Sequence, residues 1–452
     1  MSKELTVIGS GPGGYVAAVL ASKKGFDVTV IEKSTIGGVC TNHGCIPSKA
    51  LLSTAEKIDS IKGARREGIQ VQFDGVDFQK VMSKKERAVK VSRKAIESLF
   101  EENDIKVVEG EAEVLGEGKV KVDGEVIESD HLIVATGSEP IFLPGFKEID
   151  GVLSSKEALA LEDTPDSLLI IGGGYIGLEM AYVFSALDVE VTIVELLDRL
   201  LPNMDKDLSD VAEQMMKRKR VKFYTGSKVT DIEKNDALKV EIEGETERTF
   251  EVEKVICAVG RKPTPPNSEI ELAEEDGHIE VDEKMRTSFK DIYAIGDVNG
   301  KSMLAHSAFK QAEIAVKDML GEETEGFEPE MVPAGIYTHP EMASIGLTES
   351  EARERYDIKV GKYPISATGR GSSTGERMGL AKVIARDDGK MIGVHLACPG
   401  ATDIIMEAVA AMEMDMTAEE LGGLIHPHPT YSEAIKEAAE NVFGESVHSS
   451  GD

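Results

Sequence analysis

A strand, a glycine-rich turn and a helix occur twice in this chain, and no other feature restricts its fold as much. The first copy carries Gly9, Gly11 and Gly14 just after the apolar stretch Leu5–Ile8; the second carries Gly172, Gly174 and Gly177 after Leu168–Ile171. Each is followed by a second strand ending in an acid, Glu32 or Glu195, 23 positions beyond the first glycine in both copies. The first glycine permits a tight turn, the second lets backbone approach a pyrophosphate, and the third allows the helix to lie close on its strand. Unpaired amides and the helix dipole then face the phosphates. An acid at that strand end accepts hydrogen bonds from a ribose. One such motif is weak; two in register predict two dinucleotide-binding units. Glu195 would repel a 2′-phosphate and favours NAD over NADP, whereas Arg199, four residues on, weighs the other way.

The 452 residues exceed what one core holds, so several domains are expected. The reading is α/β: two Rossmann-like dinucleotide-binding domains plus a C-terminal α+β domain. Residues 1–147 form the first part of the first unit and 148–264 the second unit, which ends at a Pro-rich break after Gly260. Residues 265–330 return to the first sheet through the stretch Asp291–Asp297, and 331–452 form the last domain. Ser83–Glu101 is charged and helix-periodic and predicts a protruding helix. Ser366–Gly375 is Gly/Ser-rich and predicts a loop, and the tail Ser446–Asp452 is expected to fray.

A net charge of −31 excludes nucleic acid or an anionic membrane as the main partner. No apolar run reaches the roughly 20 residues that span a bilayer, and no signal-peptide pattern opens the chain. A cytoplasmic protein is expected.

In a reducing compartment a closely spaced cysteine pair reads as catalytic or metal-binding rather than as a staple. Cys40 and Cys45 form such a pair. On a regular helix their Cα atoms would lie about 8–9 Å apart, beyond the roughly 7 Å a disulfide tolerates. The segment must bend, and Gly44 permits it. The run from Lys49 looks helical and would put the pair at a helix N-terminus, where thiolate is favoured. A metal would need more ligands than Cys40, Cys45 and His43, so a redox pair is the better reading and no metal site is expected. Cys257 and Cys398 lie in apolar stretches and read as buried bystanders.

Near the C-terminus His428 and Glu433 stand five positions apart around Pro429. If a helix starts near Thr430, Glu433 folds back to fix the imidazole tautomer, leaving the other ring nitrogen to take a thiol proton. The competing reading is a loop histidine beside a capping box, Thr430-x-x-Glu433.

Taken together, in order along nearly the whole chain, the Gly9 turn, Cys40 to Lys49, Ala135-Thr136-Gly137, the Gly172 turn, Gly260-Arg261, Gly296-Asp297, Tyr337 to Glu341 and His428 to Glu433 resemble the pyridine nucleotide–disulfide oxidoreductases. The resemblance implies FAD in the split first unit, with Asp297 on its ribityl chain and Thr136 and Gly137 at the same cofactor. It implies NAD in the second unit, and a C-terminal domain that makes a homodimer in which His428 and Glu433 serve the partner's site. By the same resemblance Cys40 meets substrate, Cys45 lies beside the flavin, Lys49 pairs with Glu179 near it, and Tyr175 covers the ring, although ordinary packing also accounts for a tyrosine there. The motifs fit best the branch that oxidises a dihydrolipoyl group on the carrier protein of a 2-oxo acid dehydrogenase or glycine-cleavage complex. Rivals are glutathione-reductase-like and mercuric-reductase-like enzymes. The first usually have basic residues where Glu195 stands; the second end in a cysteine pair absent from Val447–Asp452. Val39, Thr41 and His43 depart from the familiar pattern around the cysteines.

Overall fold

The computed structural model describes residues 3–449. Strands β1 (Glu4–Ile8), β2 (Asp27–Glu32), β3 (Lys106–Glu109) and β4 (His131–Val134) pair in parallel in the order β4-β1-β2-β3, and a fifth, Ile292–Ala294, adds beside β4. Val7, Val30, Leu132 and Ile133 of these strands are wholly buried, because a parallel sheet is covered on both faces by its crossover helices. Helix α1 (Pro12–Lys23) follows the first glycine turn; α2 (Gly38–His43) and α3 (Cys45–Gly63) follow β2; α4 is Phe78–Glu102. The expected protruding helix does not protrude. Asp77 caps α4, and Lys85, Val89, Ile96 and Phe100 form a buried stripe that lies against the body, with α3 packed alongside. Four apolar or snorkelling positions at helical spacing suffice, even among many charges.

The second sheet repeats the first. Strands β5 (Val152–Ser154), β6 (Ser167–Ile171), β7 (Glu190–Val194), β8 (Lys222–Tyr224) and β9 (Lys254–Cys257) run parallel in the order β5-β9-β6-β7-β8, with α5 (Tyr175–Ala186) after the second glycine turn and α6 (Lys206–Arg218) after β7. Here the outer strand β5 precedes the unit. In the first sheet the equivalent strand, β10 (Ile292–Ala294), arrives only after the second unit is complete, followed by α7 (Ala305–Met319), which packs along α1. The chain crosses between units through a two-stranded ribbon, Ser138–Pro140 against Arg261–Pro263.

The last domain is an antiparallel sheet, β11 (Ala334–Ile336), β12 (Glu341–Gly346), β13 (Ile358–Pro364), β14 (Leu380–Arg386) and β15 (Met391–Cys398), in the order β11-β12-β15-β14-β13. Its helices include α8 (Glu349–Arg355), α9 (Gly369–Thr374), α10 (Ala401–Glu413) and α11 (Glu433–Asn441), with a further short turn of helix at Ala418–Gly422. Part of the expected Gly/Ser-rich loop is helix α9: the Thr368 hydroxyl accepts the Gly371 N–H and caps a turn that the composition disfavours. The tail also departs from expectation as far as it is described. Both carboxylate oxygens of buried Glu437 are taken, by Ser446 Oγ and by His448 Nδ1 at 2.8 Å, while Asn441 donates to Ser449 at 2.6 Å. The end of the predicted frayed segment, 450–452, lies outside the described residues.

Two packing features position the site. Leu51, Leu52 and Ala55 of α3 share one core with Leu178, Ala181 and Tyr182 of α5 and with Ile336 and Met342 of the last domain. Burying each leucine stabilises that junction by about 1.5–3 kcal/mol. Between α6 and the last domain, Lys382 is 1% exposed, and its ammonium bonds both oxygens of Asp205 at 2.8 and 2.9 Å, Asp207 at 2.8 Å and Glu349 at 2.7 Å. Each of the three donors of that ammonium meets a carboxylate, which a buried charge requires.

Candidate active site

The two glycine turns are near copies in space. Gly9 and Gly172 have φ of +97° and +105°, and a Cβ at either would press on a carbonyl one strand away, Ala135 or Ala258. A Cβ at Gly14 or Gly177 would overlap the carbonyl oxygen of Gly9 or Gly172, so each helix can start this close to its strand only without a side chain. The middle glycines, Gly11 and Gly174, face open space. They are also the N-caps of α1 and α5 and offer no side-chain cap, so the first amides of both helices remain available to a phosphate.

The acids sit where the pattern predicts. Glu32 Oε2 accepts from Ser10 N–H at 2.9 Å and Ser10 Oγ at 2.6 Å, and its Oε1 from Ser34 N–H at 2.9 Å. Beside it lies a cavity of about 300 Å³ lined by Ser34, Thr35, Ile36, Val107, Arg93 and Glu97. Glu195 accepts from Gly173 N–H at 2.5 Å and Leu197 N–H at 2.8 Å and is buried. Arg199 turns away, donating to Pro202 O at 2.9 Å. Arg93, Glu97 and Ser10 were missed in the sequence. Nothing marks a residue of α4 as a neighbour of Glu32, and Ser10 passes as a spacer between glycines.

Cys40 and Cys45 are joined as a disulfide with Cα atoms 4.6 Å apart. The bend falls at Gly44, which ends α2 and precedes α3. Only Cys45 opens a helix; Cys40 lies inside α2, so the dipole argument reaches one sulfur rather than the pair. One turn further, Lys49 Nζ lies 3.0 Å from both oxygens of Glu179, whose Oε1 also accepts Tyr337 N–H at 3.1 Å. The ammonium stands 4.3 Å over the Tyr337 ring. Among the described residues no group of three or more His, Cys, Asp or Glu is arranged to hold a metal ion, and burial and then Lys156 lower the pKa of His43. Cys257 and Cys398 are buried free thiols, and burial pushes Cys257 up to about 11.

At the crossing of the two units Asp297 accepts from Ser138 Oγ, which in turn accepts from Arg261 Nε at 2.8 Å. Thr264 donates to the carbonyls of Thr136, at 2.9 Å, and Gly137, at 3.0 Å. The Thr136 hydroxyl is buried with no partner, a donor left for a ligand. Gly260, at φ +126°, lets the chain turn into the ribbon. Tyr175, at N1 of α5, is 43% exposed.

His428 Nδ1 lies 2.8 Å from Glu433 Oε1, while Oε2 accepts Thr430 N–H at 2.7 Å. The helix begins at Glu433 with Ser432 as its N-cap, so the capping box is not formed: the Thr430 hydroxyl turns to Pro427 O and Ser432 Oγ, and only the Thr430 N–H to Glu433 bond of that reading is made. The His428 side chain is 72% exposed, and α11, which anchors it, packs on β13 and β14.

Residues 3–312 match the family model described as pyridine nucleotide-disulphide oxidoreductase, and residues 332–439 match the dimerisation domain of the same family. The chain belongs to the pyridine nucleotide–disulphide oxidoreductases, and its cofactors are FAD and NAD. Its curated relatives include dihydrolipoyl dehydrogenase 2 of Haloarcula marismortui, 39% identical over 98% of both chains. The dihydrolipoyl dehydrogenase of Bacillus subtilis is 39% identical over 98% of this chain and 99% of its own. Among solved structures, LpdA from Mycobacterium tuberculosis matches with a TM-score of 0.89 at 25% identity, covering 97% of this chain and 99% of that one. The HOCl-induced flavoprotein disulfide reductase RclA from Escherichia coli matches at 0.85 and 27%, over 97% and 99%. The open middle glycines, uncapped helix amides and unpartnered Thr136 hydroxyl fit a dinucleotide in the first unit, and the second glycine turn fits another.

Proposed function

We propose that the chain is a dihydrolipoyl dehydrogenase that oxidises a carrier-bound dihydrolipoyl group through Cys40–Cys45. The observation that carries this is a disulfide astride the helix break at Gly44, one turn from the Lys49–Glu179 pair. His428, held at Nδ1 by Glu433, takes a thiol proton at Nε2. The substrate thiolate attacks Cys40 Sγ and Cys45 leaves as thiolate. The second substrate thiol then displaces Cys40 and the cyclic disulfide departs. When bound, FAD would supply the two-electron acceptor that lets Cys40 and Cys45 re-form their disulfide, and the hydride that NAD⁺ takes. Lys49 and Glu179 hold a fixed charge pair beside this path. Gly9, Gly11, Gly14, Glu32, Thr136, Gly137 and Asp297 hold the FAD, and Gly172, Gly174, Gly177, Glu195, Tyr175 and Gly260 serve the nicotinamide cofactor.

Exposed His428 acts on the disulfide of a second subunit, and the dimerisation-domain match over residues 332–439 supports a homodimer as the working enzyme. Its substrate is a lipoyl-bearing protein of a 2-oxo acid dehydrogenase or glycine-cleavage complex. Two buried free cysteines beside one reactive pair suit a reducing cytoplasm, and no helix among the described residues is long and apolar enough to cross a membrane. Anaerobic turnover with dihydrolipoamide and NAD⁺ should far exceed turnover with NADPH and glutathione disulfide; the reverse preference rejects the substrate assignment.

A further inference from the structure

The two glycine turns differ at one buried atom. Ser10 follows Gly9 in the first turn and is 0% exposed. Its hydroxyl donates to Glu32 Oε2 at 2.6 Å and accepts the N–H of Gly37 at 3.1 Å. Gly37 is the N-cap of α2, the short helix that carries Cys40. The next residue, Gly38, lies so close to the glycine turn that a Cβ there would come within 2.7 Å of Gly11 Cα. The redox helix therefore begins on the glycine turn itself, tied to it by the Ser10 hydroxyl. In the second turn the same place is Gly173, where a Cβ would come within 2.7 Å of the Leu200 side chain and where the residue carries no hydroxyl. No cysteine segment follows that turn, either.

We infer that Ser10 is a positioning residue that couples the carboxylate of Glu32 to the placement of Cys40. This rests on the reading that Glu32 holds the FAD ribose and that Cys40 is the reactive sulfur. The chemistry is a two-bond relay through a buried hydroxyl. With the hydroxyl present, the Gly37 N–H has a partner and α2 is held in register with the glycine turn. Without it, a buried amide is left unsatisfied, which costs about 1–3 kcal/mol. That amide is then satisfied only if α2 moves. Cys40 lies three residues along this six-residue helix, so a shift of its first turn reaches the sulfur directly. Glu32 meanwhile loses one of its three donors and becomes freer to turn within the adjoining cavity.

The test compares Ser10→Ala and Ser10→Gly with the parent holoenzyme. Two quantities are read on reduced, FAD-loaded protein: the rate at which iodoacetamide alkylates Cys40, followed by peptide mass, and FAD retained after desalting, followed by flavin absorbance. Both variants are expected to change the Cys40 rate about threefold or more and to raise the FAD dissociation constant about tenfold, with an unchanged circular-dichroism spectrum. Weakened FAD binding with an unaltered Cys40 rate would overturn the coupling and leave Ser10 a local ribose-site residue. No change in either quantity would overturn it as well. If a variant misfolds, the other is decisive, because both remove the same oxygen atom. Parent enzyme that retains FAD and turns over dihydrolipoamide shows that the functional reading stands whichever way the variants behave. A parent that binds no flavin removes that reading instead.

Discussion

The two dinucleotide units share a turn, a strand order and an acid at the same place, yet they are assembled differently. The second unit is one continuous stretch, with its outer strand β5 preceding its glycine turn. The first is closed by β10, which arrives after the whole second unit has been threaded in between. This late closure gives the first unit its chemistry. It brings Asp297 to Ser138 and Arg261 at the crossing ribbon, and it leaves the long β2-to-β3 connection free to carry the cysteines. The local motif thus specifies how a phosphate is met, and the order of the chain around it specifies what else stands nearby.

The sharpest way to break the comparison is Cys45→Ser. Turnover of dihydrolipoamide should fall at least about a thousandfold, since the leaving thiolate is gone, while NAD⁺ binding to the second unit, measured calorimetrically, should not change. Loss of both would mean that the units are not separate binding modules.

Next in size is the seam that holds only the second unit to the last domain. Lys382→Met leaves Asp205, Asp207 and Glu349 without their shared cation and should cost about 3–5 kcal/mol in denaturant unfolding. Burial acts to raise the Asp205 carboxyl, but nearby His395, the Lys382 hydrogen bond and the Glu349 N–H outweigh it and hold the group at about 2. A depressed carboxyl contributes stability above its unfolded value of about 3.9 and loses it as pH falls through the folded one. The parent seam should therefore weaken between about pH 4 and 2. The variant, lacking the cation, holds its Asp205 carboxyl closer to the unfolded value and should lose less stability over the same window, as read by acid titration of near-ultraviolet dichroism. Coincident titrations would remove Lys382 as the cause.

Matched glycine replacements sharpen the comparison itself. Gly14→Ala should raise the FAD dissociation constant about a hundredfold and give nearly colourless protein, because the added methyl overlaps the Gly9 carbonyl and α1 must move. Gly177→Ala should leave the protein yellow and weaken NADH binding by a similar factor. Equal loss of colour in both would show that the second turn supports the first. The smallest effect is expected from Glu195→Ala. Removing a charged acceptor for the ribose should lower the NAD⁺ over NADP⁺ preference in kcat/KM about tenfold. A small loss is expected because Arg199 remains turned towards Pro202.

Much of this was legible along the chain. Gly9, Gly14, Gly172 and Gly177 could be assigned because each answers to a backbone clash within its own strand-turn-helix unit. Gly44 could be assigned because two cysteines five apart demand a bend. The return of residues 291–297 to the first sheet showed as a strand ending in glycine and acid. Other features did not show. The stripe on α4 was hidden by the charges around it, and α9 was hidden by a glycine-rich composition that Thr368 overrides through one hydroxyl. The partners of Ser10 lie 22 and 27 positions away, and those of Lys382 as many as 177. No periodicity links residues so separated.

The sequence by itself determined the two glycine turns, the bent cysteine pair and the histidine–glutamate pair, because each is a constraint between residues a few positions apart, set by backbone sterics. Only the tertiary structure decided that Ser10 ties α2 to Glu32 and that Lys382 closes the seam. Those contacts depend on which strands and helices pack together, and packing is fixed by burial summed over the whole chain rather than by any short segment.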